Sequence, residues 1–132
     1  MEITYKTDFT PSVDDIVEVY DNSGLVRPTT DKERIGKMFK NSDLVVTAWD
    51  GDTLVGIARS VTDFCYCCYL SDLAVKKDYQ KAGIGKQLVY KTKETIGEQT
   101  MLLLLAAPSA MEYYPKIGMD SVDNGFIIKR EK

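Results

Sequence analysis

The sequence predicts an α/β fold of the α+β kind, a mixed β-sheet flanked by helices. Three observations carry this. Leu44–Trp49 and Leu54–Val61 are β-rich runs around Asp50-Gly51-Asp52, and an Asp-Gly pair between such runs signals an antiparallel hairpin. Gly83–Gly97 follows a helical period, with Ile84, Leu88, Thr92 and Ile96 spaced by four. Met101–Ala107 is then apolar without alternation, as expected of a strand buried on both faces. Strand, helix, strand in that order implies a parallel crossover, so the sheet is mixed.

The elements follow in order. Ile3–Lys6 can open as an edge strand. Val13, Ile16, Val17 and Tyr20 fall at i, i+3, i+4 and i+7, one stripe of an amphipathic helix that Thr10-Pro11 or Ser12 can start. Gly24 and Pro28 mark a loop. Thr30 with Glu33 reads as a capping box for a helix carrying Ile35, Met38 and Phe39 on one face. After the hairpin, a turn near Thr62-Asp63 leads into the run Cys65–Val75, making a three-stranded meander. Beyond Met101–Ala107, Ser109 and Glu112 form another possible capping box. The short helix after it is distorted by Pro115 and ends at Gly118. Phe126–Lys129 reads as a final strand, with one more near Ser121–Val122.

The chain has 132 residues and a net charge of −3, which suits one domain over residues 1–132. The acidic balance argues against a nucleic-acid partner. No run of eighteen apolar residues is present and the start lacks a secretory pattern, so no membrane association and a cytoplasmic location are expected. Histidine is absent, which removes His-based triads, metal sites and general bases together. Cys65, Cys67 and Cys68 have no second ligand cluster, so no metal is expected. Strand alternation puts Cys65 and Cys67 on one face and Cys68 on the other, as small buried hydrophobes in a reducing compartment.

The stretch from Leu70 to Lys86 holds the most chemistry. A strand ends near Val75, a helix begins near Gly83, and Gly83 and Gly85 lie two apart in between. Glycines admit a close ligand, and the first helical turn offers unpaired amides at the positive end of a dipole. That combination suits a pyrophosphate, with Lys81 and Lys86 adding charge. Neither the Walker nor the Rossmann spacing is met. The residues alone leave a phosphate-type ligand and a structural loop both open.

The segment Gln80-Lys81-Ala82-Gly83-Ile84-Gly85 resembles the Q/R-x-x-G-x-G/A loop of the GNAT N-acetyltransferase family. Ala110-Met111-Glu112-Tyr113-Tyr114-Pro115-Lys116-Ile117-Gly118-Met119 is similar to that family's A-x-x-F/Y-Y-x-K-x-G-F/M ending. The likeness runs from about Leu44 to Lys129. It implies a centrally splayed sheet and acetyl-coenzyme A (acetyl-CoA) as co-substrate. Gln80, Lys81, Ala82, Gly83, Ile84, Gly85 and Lys86 would surround the pyrophosphate, mostly through backbone amides. The pantetheine arm would run beside Leu73, Ala74 and Val75. Tyr114 would be the general acid that protonates the leaving thiolate, and Tyr113 a core residue. Many relatives carry Asn where this chain has Ala107, so that contact is lost or moves to Ser109.

The base stays open between Asp72 and a water held by Ser71 and Tyr69. Strict alternation puts Asp72 opposite Ser71, and a β-bulge would break that parity. The acceptor, an amine-bearing molecule, would meet the loop Asp21–Pro28 through Asn22, Leu25 and Arg27, with Arg27 able to pair with an acceptor carboxylate or phosphate. Asp63 and Phe64 would flank it. A monomer or homodimer is expected. The competing reading is a coenzyme-A-binding module without turnover, acting as a sensor or partner subunit.

Overall fold

The computed structural model describes residues 2–132. Five strands lie side by side in chain order: β1 (Ile3–Lys6), β2 (Leu44–Asp50), β3 (Thr53–Thr62), β4 (Cys67–Val75) and β5 (Met101–Leu103). Neighbours are antiparallel up to β4, and β5 runs parallel to β4. The helices are α1 (Val13–Ser23), α2 (Lys32–Lys40), α3 (Ile84–Ile96) and the short α4 (Tyr113–Lys116).

Local chemistry sets the ends of these elements. Ser12 caps α1, its hydroxyl accepting the amide of Asp15 at 3.2 Å. The cap of α2 is Asp31, which accepts the Arg34 amide at 3.0 Å, so the Thr30 capping box is displaced by one residue. A carboxylate at that position also suits the positive end of the helix. Asp50 pairs with Thr53 around a two-residue turn in which Gly51 takes φ +60°. The β3–β4 turn is built on Asp63, whose Oδ1 accepts the amides of Cys65, Tyr66 and Cys67 at 2.8, 2.8 and 3.1 Å. These three donors hold its carboxyl at about 2. Cys65 therefore sits in a turn, and both Cys65 and Cys67 are exposed. Only Cys68 is a buried hydrophobe, which corrects the expectation for the other two.

Each face of the sheet has its own core. On one face α3 packs Ile84, Leu88, Val89 and Ile96 against Leu44, Val46, Ala48, Val55, Ala58, Cys68 and Leu70. On the other, Ile16, Val19 and Tyr20 of α1 and Ile35 and Phe39 of α2 cover Val45, Trp49, Leu54, Ile57 and Ala74. Fully burying one such aliphatic side chain is worth about 1.5–3 kcal/mol. Gly56 lets α3 approach the sheet, since a Cβ there would lie 3.0 Å from Leu88 Cδ1 and 3.4 Å from Ile84 Cγ2.

The C-terminal third departs from the sequence reading. Met101–Ala107 is not buried on both faces. Only its first three residues pair, and Met101, Leu103 and Leu105 are exposed while Leu102 and Leu104 pack on the core. No strand forms at Phe126–Lys129 or at Ser121–Val122. Nothing therefore pairs with the outer edge of β5 among the described residues, and alternation returns. Ser109 and Glu112 make no capping box, because Pro108–Ala110 forms a separate 3-10 turn and α4 has no side-chain cap.

Candidate active site

The site begins with a register slip. Arg59 pairs with Asp72 but Ser60 pairs with Leu70, so Ser71 is an extra residue in β4. The bulge inverts the alternation beyond it. Cys68 and Leu70 face α3, and after the slip so do Leu73 and Val75, while Asp72 and Ala74 turn toward α1 and α2. The bulge that the sequence reading left open is thus present, at Ser71.

A second departure opens the sheet. β4 pairs with β5 only over Cys67–Tyr69. From Leu70 to Val75 that edge of β4 has no strand partner among the described residues, and the chain after β5 swings away. The resulting cleft, about 480 Å³, is walled by Leu70, Ser71 and Leu73–Val75 on one side and by Leu104–Ala107, Ser109 and Ala110 on the other. Leu25 and Arg27 stand at one end, and Gln80 and Tyr114 also line it.

At the far end of β4 the chain turns into α3. The amide of Gln80 bonds to Lys77 O and the amide of Gln87 to Gly83 O. Between them the amides of Lys81, Ala82, Gly83, Ile84, Gly85 and Lys86 have no protein acceptor among the described residues. Lys81 and Gly83 take φ of +67° and +80°, an alternation of backbone hand that turns successive amides toward one concave side. Gly85 is required for another reason: a Cβ there would lie 2.9 Å from the Tyr113 hydroxyl. Tyr113 is thus a partly exposed wall against the start of α3 and not a core residue.

The loop is firmly mounted. Gln80 Nε2 donates to Val75 O at 2.8 Å, Tyr79 donates to Asp50 at 2.6 Å, and the Lys77 amide donates to Asn22 Oδ1 at 2.8 Å. Asn22 therefore braces this loop and lies outside the cleft, a correction to its expected acceptor role.

Asp72 has a different character from the one considered for a base. Its side chain has no exposure. Oδ1 accepts from Arg27 Nε at 2.7 Å and Ser71 Oγ at 3.1 Å, and Oδ2 accepts from Arg59 Nε at 2.6 Å and Tyr20 Oη at 2.8 Å. Burial pushes this carboxyl up, but the guanidiniums and the phenol outweigh it and hold it below 3.8. A sealed, saturated carboxylate of depressed pKa neither reaches an amine nor takes its proton well. Burial and the neighbouring Asp72 raise the Tyr20 phenol far above its ordinary value, so it stays a donor.

The remaining candidates divide. Ser71 lines the cleft, but its hydroxyl donates to Asp72 and accepts from Arg59 Nη2 at 3.1 Å. Tyr69 lies outside the cleft wall, so the two are not placed to share a water there. Arg27 is committed internally, with Nη2 on Ser71 O at 2.8 Å and Nη1 on Val26 O at 2.7 Å besides Asp72. It latches the α1–α2 loop onto the bulge, which corrects its reading as a free acceptor anchor. Asp63 and Phe64 are likewise outside the cleft. Leu25, Leu73, Ala74, Val75, Gln80, Ser109 and Tyr114 all line it.

Tyr114 is half-buried, and its hydroxyl has no hydrogen-bond partner among the described residues. Burial first, and the adjacent Tyr113 second, raise its pKa above 10. The phenol is therefore a proton donor at neutral pH. Arg59 escaped the sequence reading altogether. The signal was available: a lone Arg in the run Leu54–Val61 and a lone Asp in the facing run are buried charges that require each other.

A sequence profile described as the Acetyltransferase (GNAT) domain matches residues 17–128. The chain belongs to the GNAT acetyltransferase family. It is 24% identical over 110 residues to the uncharacterised N-acetyltransferase ycf52 of Pyropia yezoensis, covering 79% of this chain and 62% of that protein. The chain spans about half to three fifths of the length of the curated relatives it matches. A Staphylococcus aureus protein described as a probable acetyltransferase has a TM-score of 0.81 at 25% identity, over 98% of this chain and 100% of that one. AAC(6')-Iy, solved with a CoA bisubstrate analogue, shares the fold at TM-score 0.74 and 11% identity, with both chains fully covered. The splayed GNAT sheet expected from the sequence is therefore the observed one. Among the described residues no helix is long and apolar enough to cross a membrane, and no cluster of potential metal ligands occurs.

Proposed function

We propose that this chain is an N-acetyltransferase that binds acetyl-CoA and transfers its acetyl group to a primary amine of a small molecule or peptide. The observation that carries the reading is the run of six amides without acceptors from Lys81 to Lys86, opening beside a cleft that follows the free edge of β4. Such amides suit the pyrophosphate, and Lys81 and Lys86 add positive charge. The residues present fit the group. The unpaired edge at Leu73, Ala74 and Val75 offers backbone partners to an extended amide-bearing chain, and Ser109 stands across the cleft in place of the contact that Ala107 lacks.

The thioester supplies the acetyl group to a directly attacking amine through a tetrahedral intermediate. Tyr114 donates its proton toward the departing sulfur, a role its raised pKa supports. Asp72 acts at one remove, holding Arg27 and so the Leu25 loop that borders the acceptor end. Among the described residues no carboxylate lines the cleft, so the amine loses its proton to solvent. The same lack gives a polycation no counter-charge, which favours a monoamine acceptor. The free thiols suit a reducing compartment such as the cytoplasm.

The test pairs calorimetry with a thiol-release assay, titrating acetyl-CoA and then offering amino acids, amino sugars, arylalkylamines, polyamines and peptides. Saturable binding with amine-dependent thiol release is the expected result. No binding at millimolar acetyl-CoA sinks the proposal. Binding without release from any amine favours a sensor or partner subunit instead, a reading supported by the lack of a carboxylate base at the cleft.

A further inference from the structure

Tyr114 is aimed through its backbone and packing. Its hydroxyl has no hydrogen-bond partner among the described residues. The helix that carries it, α4, is four residues long, holds Pro115 and lacks a side-chain cap. So short a helix does not fix its own orientation. A contact from outside α4 has to set where the phenol stands at the cleft.

α3 supplies that contact on both sides of Tyr114. Before it, the Tyr113 hydroxyl occupies the space that a Gly85 side chain would fill. After it, Tyr90 donates its hydroxyl to Ile117 O. The Ile117 amide donates in turn to Tyr114 O at 3.2 Å, and the Met119 amide reaches the same oxygen at 3.1 Å. A hydrogen-bonded path therefore runs from the Tyr90 phenol to the carbonyl of Tyr114. Gly118 leaves room for it: its φ is +98°, and a Cβ there would lie 3.3 Å from Tyr90 Oη. Ile117 is buried in the core under α3, with Tyr114 and Met119 packed beside it. Tyr90 is 43% exposed, so its hydroxyl could be satisfied by water and is not driven onto Ile117 by burial.

We propose that Tyr90 is a positioning residue for acetyl transfer, its hydroxyl holding the Tyr114 phenol at the cleft through Ile117 O. The inference rests on the acetyl-transfer reading. The Tyr90 ring has a separate neighbour, since Lys86 Nζ lies 5.6 Å from its centroid. Ring and hydroxyl thus serve different ends of the site. The ring borders the loop of free amides, and the hydroxyl borders the proton donor. Because α3 carries both, the loop and Tyr114 keep one spacing.

Tyr90→Phe separates the two, because it removes the hydroxyl and keeps the ring. It should lower kcat by about tenfold, as a misplaced proton donor does, with KM and calorimetric affinity for acetyl-CoA unchanged. In a Tyr114→Phe background the same substitution should cost nothing more, since both changes act on one proton transfer. Gly118→Ala crowds the same hydrogen bond from its other side and should show the same loss of kcat. Tyr90→Leu removes the ring as well and should also weaken acetyl-CoA binding. Far-UV circular dichroism should match the parent in each case. An unchanged kcat in Tyr90→Phe would overturn the inference. So would a loss that adds in full to that of Tyr114→Phe, or an equal loss of acetyl-CoA affinity, because either marks Tyr90 as a packing residue. A parent that releases no thiol with any amine sinks the transfer reading and this inference together. A parent that turns over beside an unaffected Tyr90→Phe sinks this inference alone.

Discussion

Two polar regions flank the same strand and could hardly differ more. At the bulge of β4, Asp72 accepts four hydrogen bonds and Arg27 and Arg59 each donate three. At the end of β4, six successive amides have no protein acceptor among the described residues. Saturation makes the first region part of the frame. Unspent donors are what the proposal assigns to a ligand in the second. Both carry charge, and both sit in the segment that sequence reasoning treats as one motif. The bookkeeping of partners, not the residue types, separates them.

The largest effect should come from breaking the saturated region. Asp72→Ala leaves two guanidiniums facing each other and is expected to cost about 3–5 kcal/mol in denaturant unfolding. A loss under about 1 kcal/mol would mean the cluster is not what holds β4 to α1. The pH dependence follows the same groups. Asp72 has a folded pKa below its ordinary 3.8, so its contribution is complete above that value and disappears as the pH falls through the lower one. Acid titration of the parent should show a loss below pH 3.8 that Asp72→Asn largely lacks.

The region of unspent donors is broken at Gly83. With φ at +80°, Gly83→Val strains the loop and places a branched side chain among the amides. Acetyl-CoA affinity should fall by about a hundredfold or more, roughly 2.7 kcal/mol, with global stability lowered by only about 1 kcal/mol through the strained φ. Equal loss of stability and affinity would merge the two regions into one. Tyr114→Phe should lower kcat by about tenfold to a hundredfold while leaving cofactor affinity unchanged. An unaltered kcat removes the phenol from proton transfer. Smallest of all is Ser60→Ala. The Ser60 hydroxyl is buried without a partner, so its removal should be neutral or stabilise by up to about 1 kcal/mol. A clear destabilisation would point to a hidden partner.

Much of this was legible. The α1 stripe, the hairpin at Gly51 and the span of α3 all follow from spacing and turn chemistry, which are local. What was missed depends on distant partners. Phe126–Lys129 has strand propensity, but propensity does not say which edge receives it. Asp72 and Arg27 looked available because each was considered alone. Asn22 looked like an acceptor contact because nothing in the chain announces that its carbonyl meets the Lys77 amide. The bulge at Ser71 had no local marker either, although the charges it brings together on one face give it a purpose.

Gly56 has a further consequence. Its lone hydrogen faces the first residue of α3 and the Leu88 side chain. The height at which α3 rides over the sheet is thereby gauged by a missing methyl. A variant that supplies it would lift the front of that helix and tilt the loop Lys81–Lys86 away from β4. On the proposed reading, the loop's hold on a pyrophosphate is therefore set from beneath, by a buried position outside the cleft lining.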